Sequence, residues 1–217
     1  LFGNSGHNEI EQRGQKMFKW LVNSLVVTVL SFSALAQAQS ADRYVNVNPP
    51  QATEPGKVEV LEFFSYGCPH CAVLEPMVTQ WKKTLPSDVV FHSVPVAFNA
   101  AMKPLQHLYY ALEALGRSDL HPAVFNTIHQ EKKRIFTQEA IIDWAVSQGL
   151  DRAKFAAAMD SFGVKSKAQR ADQLAKGYGV QGTPSIAVAG RYLTSPSDAG
   201  GYQETINEAD KLVKRSR

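Results

Sequence analysis

Cysteine is scarce: the 217 residues contain two, Cys68 and Cys71, separated by two others. A scaffold stapled by several disulfides is therefore excluded, and a chain of this length buries enough apolar surface to fold without them. Charge of one sign is also lacking, since 23 Lys and Arg face 20 Asp and Glu for a formal net charge of +3. With no basic stripe interleaved with aromatics, the electrostatic footprint of a nucleic-acid binder is missing. Internal repeats and low-complexity tracts are absent too. The greasiest stretch, Leu21 to Leu35, is interrupted by Asn23, Ser24, Ser31 and Ser33, and it falls short of the roughly 20 apolar residues that a membrane span requires. What is present, 44% hydrophobic and 20% charged residues, describes an ordinary globular chain.

Residues 17 to 38 read Met17-Phe18-Lys19-Trp20, then the apolar run, then Ala36-Gln37-Ala38. A basic start, a short greasy segment and a small-x-small exit form a secretory signal, with cleavage expected after Ala38 and an uncleaved anchor as the alternative. No cysteine follows the run to accept a lipid. Residues 1 to 16 are polar and aperiodic, and Glu11 to Lys16 can be encoded by purine-rich codons. They are expected to lie upstream of the true start at Met17.

Beyond the signal, strand and helix patterns alternate. Val45 to Ala52 is extended and contains proline, and Val58 to Ser65 is apolar on both faces, as a covered central strand must be. Tyr66 and Gly67 break that run. A helix starts at Cys68, because Pro69 in a first turn loses no hydrogen bond. Leu74, Val78, Trp81 and Leu85 then recur at helical spacing, with Pro76 as a possible kink. Val89 to Val96 returns to strand chemistry, which makes a βαβ unit with a parallel pair. From Ala101 to about Phe162 the periodicity is helical only, and Lys165 to Tyr178 continues as an amphipathic helix. Ile186 to Ala189 and Tyr192 to Thr194 form a hairpin around Gly190-Arg191, and Ala199 to Lys214 is a last helix. The pattern predicts an α/β fold in which residues 39–100 and 165–217 form one unit and residues 101–164 a helical insertion.

A Cys-x-x-Cys pair is half a zinc site, a redox dithiol or an accident. Zinc takes four ligands, and here two would have to come from His92, His107, His121 or His129, none of which forms a close pair. A pair on the first turn of a helix that follows a central strand suits thiol exchange, since it closes too short a loop to stabilise folding much. Cys68 would sit where unpaired helix N–H groups favour a thiolate, which depresses its pKa and makes the disulfide easier to reduce. His70 either adds positive charge or an N–H donor to that thiolate, or is a solvated first-turn residue. Glu62 either lies buried under the dithiol, where it can exchange a proton with Cys71, or is solvated at an edge. Glu75 reads as a helix surface charge. Thr183-Pro184 before an apolar strand marks a tight loop beside which an extended peptide can pair.

Glu62-Phe63-Phe64-Ser65-Tyr66-Gly67-Cys68-Pro69-His70-Cys71, followed by a helical stretch and then Gly179-Val180-Gln181-Gly182-Thr183-Pro184-Ser185, resembles the bacterial DsbA family of periplasmic thiol:disulfide interchange oxidases. That family is itself a standard example of a low cysteine pKa and an oxidising couple. The resemblance covers essentially the whole chain after the signal. It implies a thioredoxin fold with an inserted all-helical domain, a nucleophilic Cys68, a buried Cys71, a cis Pro184, Glu62 as a buried acid and Glu75 as a neighbouring charge. It further implies a periplasmic enzyme that uses no cofactor beyond the Cys68–Cys71 disulfide. Such an enzyme oxidises reduced, unfolded exported proteins and is itself reoxidised by a quinone-linked membrane partner of DsbB type. Two departures stand out. Val89 to Val96 has no lysine to pair with charges near the dithiol, and Thr183 offers a hydroxyl where many relatives place valine. The competing readings are a reductase or isomerase of the same fold, and a holdase or copper-binding protein in which the pair only coordinates.

Overall fold

The computed structural model describes residues 42–217, which form one compact unit. The signal segment at 17–38 and the upstream residues 1–16 lie outside the described residues. Among those described, no helix is long and apolar enough to cross a membrane.

Five strands form one mixed sheet in the order β1-β5-β4-β2-β3. They are β1 (Val45–Asn46), β2 (Val58–Phe64), β3 (Val89–Pro95), β4 (Ser185–Val188) and β5 (Tyr192–Thr194). β2 is central. It runs parallel to β3, in a register that sets Glu62 opposite Ser93, and antiparallel to β4 with Glu62 opposite Ile186. The parallel pair requires a crossover, and helix α1 (Pro69–Lys82) supplies it. The first extended segment is shorter than its composition suggests. Only Val45 and Asn46 pair, with Leu193 and Tyr192, and the chain then leaves through a cis Asn48–Pro49 bond.

The alternation of side chains along β2 explains its unbroken apolar character. Val58 and Val60 face a core made with Leu74, Val78 and Trp81 of α1 and with Ile206, Ala209, Leu212 and Val213 of the last helix. Leu61 and Phe63 point the other way, into a larger core. That second core is closed by the helices between β3 and β4: α2 (Lys103–Ala114), α3 (His121–His129), α4 (Gln138–Ser147), α5 (Arg152–Asp160) and α6 (Phe162–Gly177). Phe155, Ile141 and Met159 are fully enclosed there. Thr137, Asp151 and Ser161 start α4, α5 and α6 by accepting backbone N–H bonds from Ala140, Lys154 and Val164. The boundary expected at residue 164 falls inside α6, because Ser161 caps that helix three residues earlier.

One buried amide joins these helices to the sheet. Gln106 Nε2 donates to Pro95 O at 3.0 Å, to Asp172 Oδ1 at 2.9 Å and to Ala168 O at 3.4 Å, tying α2 to β3 and α6. At the C-terminus the single expected helix is two: α7 (Pro196–Ala199) and α8 (Tyr202–Ser216). Gly200, at φ 91°, ends α7 in a left-handed conformation that a side chain would oppose.

The β4–β5 hairpin turns through Ala189 at φ 53° and Gly190 at φ 70°, a pair of left-handed residues that matches the twist of the flanking strands. Gly190 also accepts a hydrogen bond from Gln51 N at 2.8 Å, and a Cβ there would strike the Gln51 carbonyl. Gly190→Ala is therefore expected to destabilise the reduced protein by about 2 kcal/mol, read as a fall in Tm of about 4–8 °C. An unchanged Tm would show that the Gln51 segment gives way freely.

Candidate active site

The site is built where β2 hands over to α1. Ser65, Tyr66, Gly67 and Cys68 form a turn closed by Cys68 N–H donating to Ser65 O at 3.0 Å. Cys68 keeps an extended backbone as the residue that caps α1, and Pro69 takes the first helical position. One turn of helix then separates the sulfurs by environment. Both are free thiols, Cys68 half-buried and Cys71 buried at 2% exposure.

That asymmetry drives their pKa values apart. Cys68 is lowered to about 5, chiefly by the Cys71 thiol beside it, against the opposing effect of its own partial burial. The Cys71 and His70 backbones and the Thr183 side chain reinforce the shift. The backbone contributions are those of unpaired N–H groups in a first helical turn. Burial raises Cys71 well above the ordinary thiol range, and the neighbouring Cys68 raises it further. From across the site the Cys68 thiol donates to the Thr183 carbonyl at 3.3 Å, and the Thr183–Pro184 peptide bond is cis.

His70 is exposed, and its Nδ1 lies 2.6 Å from the Tyr202 hydroxyl at the start of α8. Its side chain is not among the groups that lower Cys68; its backbone is. The ring's hydrogen-bonding neighbour is thus Tyr202, and the His70 contribution at Cys68 comes from its main chain. Next to His70 opens a groove of about 950 Å³, lined also by Val45, Tyr178, Thr183, Pro184 and Tyr202.

Glu62 is buried at 2% exposure, on the same face of β2 as Val58 and Val60, which α1 covers. Its direct partner is the Ser93 hydroxyl, which donates to Oε2 at 3.0 Å. Burial raises its pKa to about 8, Glu75 adds to the rise, and Ser93 and Lys82 only partly offset it. The missing strand lysine is therefore replaced by a neutral hydroxyl, and the carboxyl stays largely protonated at neutral pH. Glu75 is not a surface charge. It is 7% exposed, because the face of α1 that carries it is covered by α3, and it accepts from Thr79 Oγ1 at 2.8 Å and contacts His121 Nε2 at 3.1 Å.

Sequence reasoning did not single out Tyr66, Ser93 or Tyr202, and it treated His121 and His129 only as possible zinc ligands. Ser93 was recoverable from the parallel register opposite Glu62; the others carry no local signal. Among the described residues, no group of three or more His, Cys, Asp or Glu side chains converges as a metal site.

A half-exposed thiolate at the head of a helix, a buried second thiol and a cis proline opposite them, on a sheet with helices inserted between β3 and β4, define a thioredoxin-fold thiol:disulfide oxidoreductase. The profile of the DSBA-like thioredoxin domain matches residues 86–207. The thiol:disulfide interchange protein DsbA of Bordetella parapertussis is 56% identical over 196 residues, covering 89% of this chain and 93% of its own. That of Pseudomonas aeruginosa is 35% identical over 202 residues, covering 91% and 96%. The crystal structure of Pseudomonas aeruginosa DsbA superposes with a TM-score of 0.77 at 38% identity, over 81% of this chain and 93% of that one. The chain belongs to the DsbA family.

Two measurements follow from this geometry. Thiolate absorbance of the reduced protein should rise once, with a midpoint near pH 5, and Thr183→Val should raise that midpoint by up to about one pH unit as a stabilising contact is lost. Two thiols titrating together near the ordinary value would contradict the asymmetry. For Glu62, a folded pKa above the unfolded one is a penalty that is absent below about pH 4.5 and grows until pH passes about 8. Glu62→Gln should therefore stabilise the protein at neutral pH by up to about 3 kcal/mol and leave it unchanged at pH 4, as read by denaturant melts.

Proposed function

We propose that this enzyme is a disulfide donor in the periplasm, acting on reduced, unfolded exported proteins. The observation that carries the reading is the division between the two sulfurs, one half-buried at the head of α1 among groups that favour its thiolate, the other buried, where burial favours its protonated form. Each contact that favours the Cys68 thiolate favours the reduced protein over the disulfide, and so makes the disulfide a stronger oxidant.

The exchange runs in two displacements. A substrate thiolate attacks Cys68 Sγ of the oxidised enzyme; the Cys68–Cys71 bond breaks, and its electron pair leaves with Cys71. The buried Cys71 sulfur takes up a proton, and Glu62, carrying one at neutral pH, is the group we assign to supply it. A second substrate thiolate then attacks its own chain's sulfur in the mixed disulfide and expels Cys68 as a thiolate. The substrate ends with a disulfide and the enzyme with two electrons more. No cofactor beyond the cysteine pair is needed for either step.

The groove beside Thr183 and Pro184 suits an extended peptide, with backbone pairing at the loop and apolar contacts along Val45 and Tyr178. Reoxidation is assigned to a quinone-linked membrane partner of DsbB type, which must meet the same half-buried sulfur.

Because the Cys68 pKa is depressed, the advantage of the reduced form is complete only above the ordinary thiol pKa near 9 and is lost as pH falls through about 5. At pH 7 it is on the order of 2 kcal/mol once partial solvent exposure is allowed for. Melting the reduced and oxidised proteins side by side should show the reduced one more stable at pH 7, with the gap closing near pH 5. Cys71→Ala should accumulate mixed disulfides with exported proteins. A disulfide form that melts higher at pH 7 would point instead to a reductase, and a Cys71→Ala protein that traps nothing would remove exchange altogether.

A further inference from the structure

Helix α3, part of the helical insertion, grips the residue that leads into the dithiol at both of its ends. Its first residue, His121, places Nδ1 2.7 Å from the Tyr66 hydroxyl; its last, His129, places Nε2 2.7 Å from the Tyr66 carbonyl. Tyr66 sits in the middle of the Ser65–Cys68 turn, two residues before the nucleophile, with its side chain buried at 1% exposure. Its ring packs edge-on to Phe64 and Phe125, at centroid distances of 5.2 and 5.0 Å. His121 also reaches past the dithiol. Its Nε2 lies 3.1 Å from Glu75, one turn beyond Cys71 on α1.

The chemistry of the partners sets the protons. The Tyr66 carbonyl only accepts, so His129 carries its proton on Nε2. The two ring nitrogens of His121 are both engaged, Nδ1 with the Tyr66 hydroxyl and Nε2 with the Glu75 carboxyl. One histidine of the insertion is thus bonded to the chain on either side of the Cys-x-x-Cys segment.

We infer that His121 and His129 are positioning residues for thiol–disulfide exchange: from the helical insertion they hold the Ser65–Cys68 turn, and so the placement of the Cys68 sulfur against the donors around it. Short-range donors do that work: the first N–H groups of α1, the Cys71 thiol and the Thr183 side chain. A hydrogen bond to sulfur weakens steeply with misalignment, so a turn free to shift lets the thiolate drift from donors to water. The inference rests on exchange at Cys68 and not on the direction in which that exchange runs.

The test compares His121→Leu, His129→Leu and His129→Gln with Ile141→Val, a change in the buried core on α4, a different helix from the one that carries the clamp. Each purified full-length protein is equilibrated with glutathione, and its Cys68 thiolate is titrated by absorbance. Both Leu variants should raise the Cys68 midpoint by about one pH unit and shift the glutathione equilibrium about tenfold toward the protein disulfide. His129→Gln, which can still present an N–H to the Tyr66 carbonyl, should recover most of that loss, and Ile141→Val should lower Tm without moving either reading. If the Leu variants lose stability while midpoint and equilibrium stay within twofold of the unaltered protein, the clamp is structural only and the inference fails. The unaltered protein's own glutathione equilibrium separately tests the donor role, so the two can fail independently.

Discussion

Everything in this molecule turns on a negative charge on Cys68 Sγ. A thiolate half-exposed to water gains little from distant charges, but much from donors within hydrogen-bond reach. The protein supplies these from different parts of the chain: backbone N–H groups freed by the start of α1, the Cys71 thiol one turn on, and the Thr183 side chain from the loop before β4. The sheet sets the two arms of the site against each other. β2 delivers the helix, β4 begins beside Thr183, and their antiparallel pairing from Val60–Val188 to Phe63–Ser185 holds the arms face to face.

The same sheet accounts for the unusual acids. A central strand buried on both faces has little room for a carboxylate, yet Glu62 lies there with a serine hydroxyl as its direct partner. Keeping the proton is the cheaper solution to burial. Glu75 solves the same problem differently, with Thr79 and His121 as hydrogen-bonding neighbours. Two carboxyls near one another thus have different environments, and the raised pKa of Glu62 owes part of its value to the other.

The helical insertion has two physical roles. Its inner faces cover the side of the sheet that α1 and α8 leave open, closing a core around Phe63, Phe155 and Ile141. Its α3 helix also reaches the rim of the dithiol, so a stretch with no exchange chemistry of its own takes part in holding the reacting sulfur.

The order of strands and helices was legible in the sequence because periodicity is local: β2, β3 and the β4–β5 hairpin lie within a residue or two of where apolar spacing and Pro-Gly punctuation put them, and α1 starts beside Cys68 as expected but ends at Lys82, three residues before Leu85. So was the class of chemistry, since a lone Cys-x-x-Cys after a central strand can do little other than exchange, and family resemblance extended this to Pro184. Less was legible where a side chain had a choice of partner. His70 looked aimed at the thiolate and turned to Tyr202, 132 residues away; Glu75 looked solvated and is covered by α3; His121 and His129 stood apart in the sequence and meet Tyr66 from 55 and 63 positions on. That two sulfurs share one helical turn was thus written in local chain neighbours. Which groups surround those sulfurs had to wait for the fold, because hydrogen bonds act over a few ångströms in space and take no account of distance along the chain.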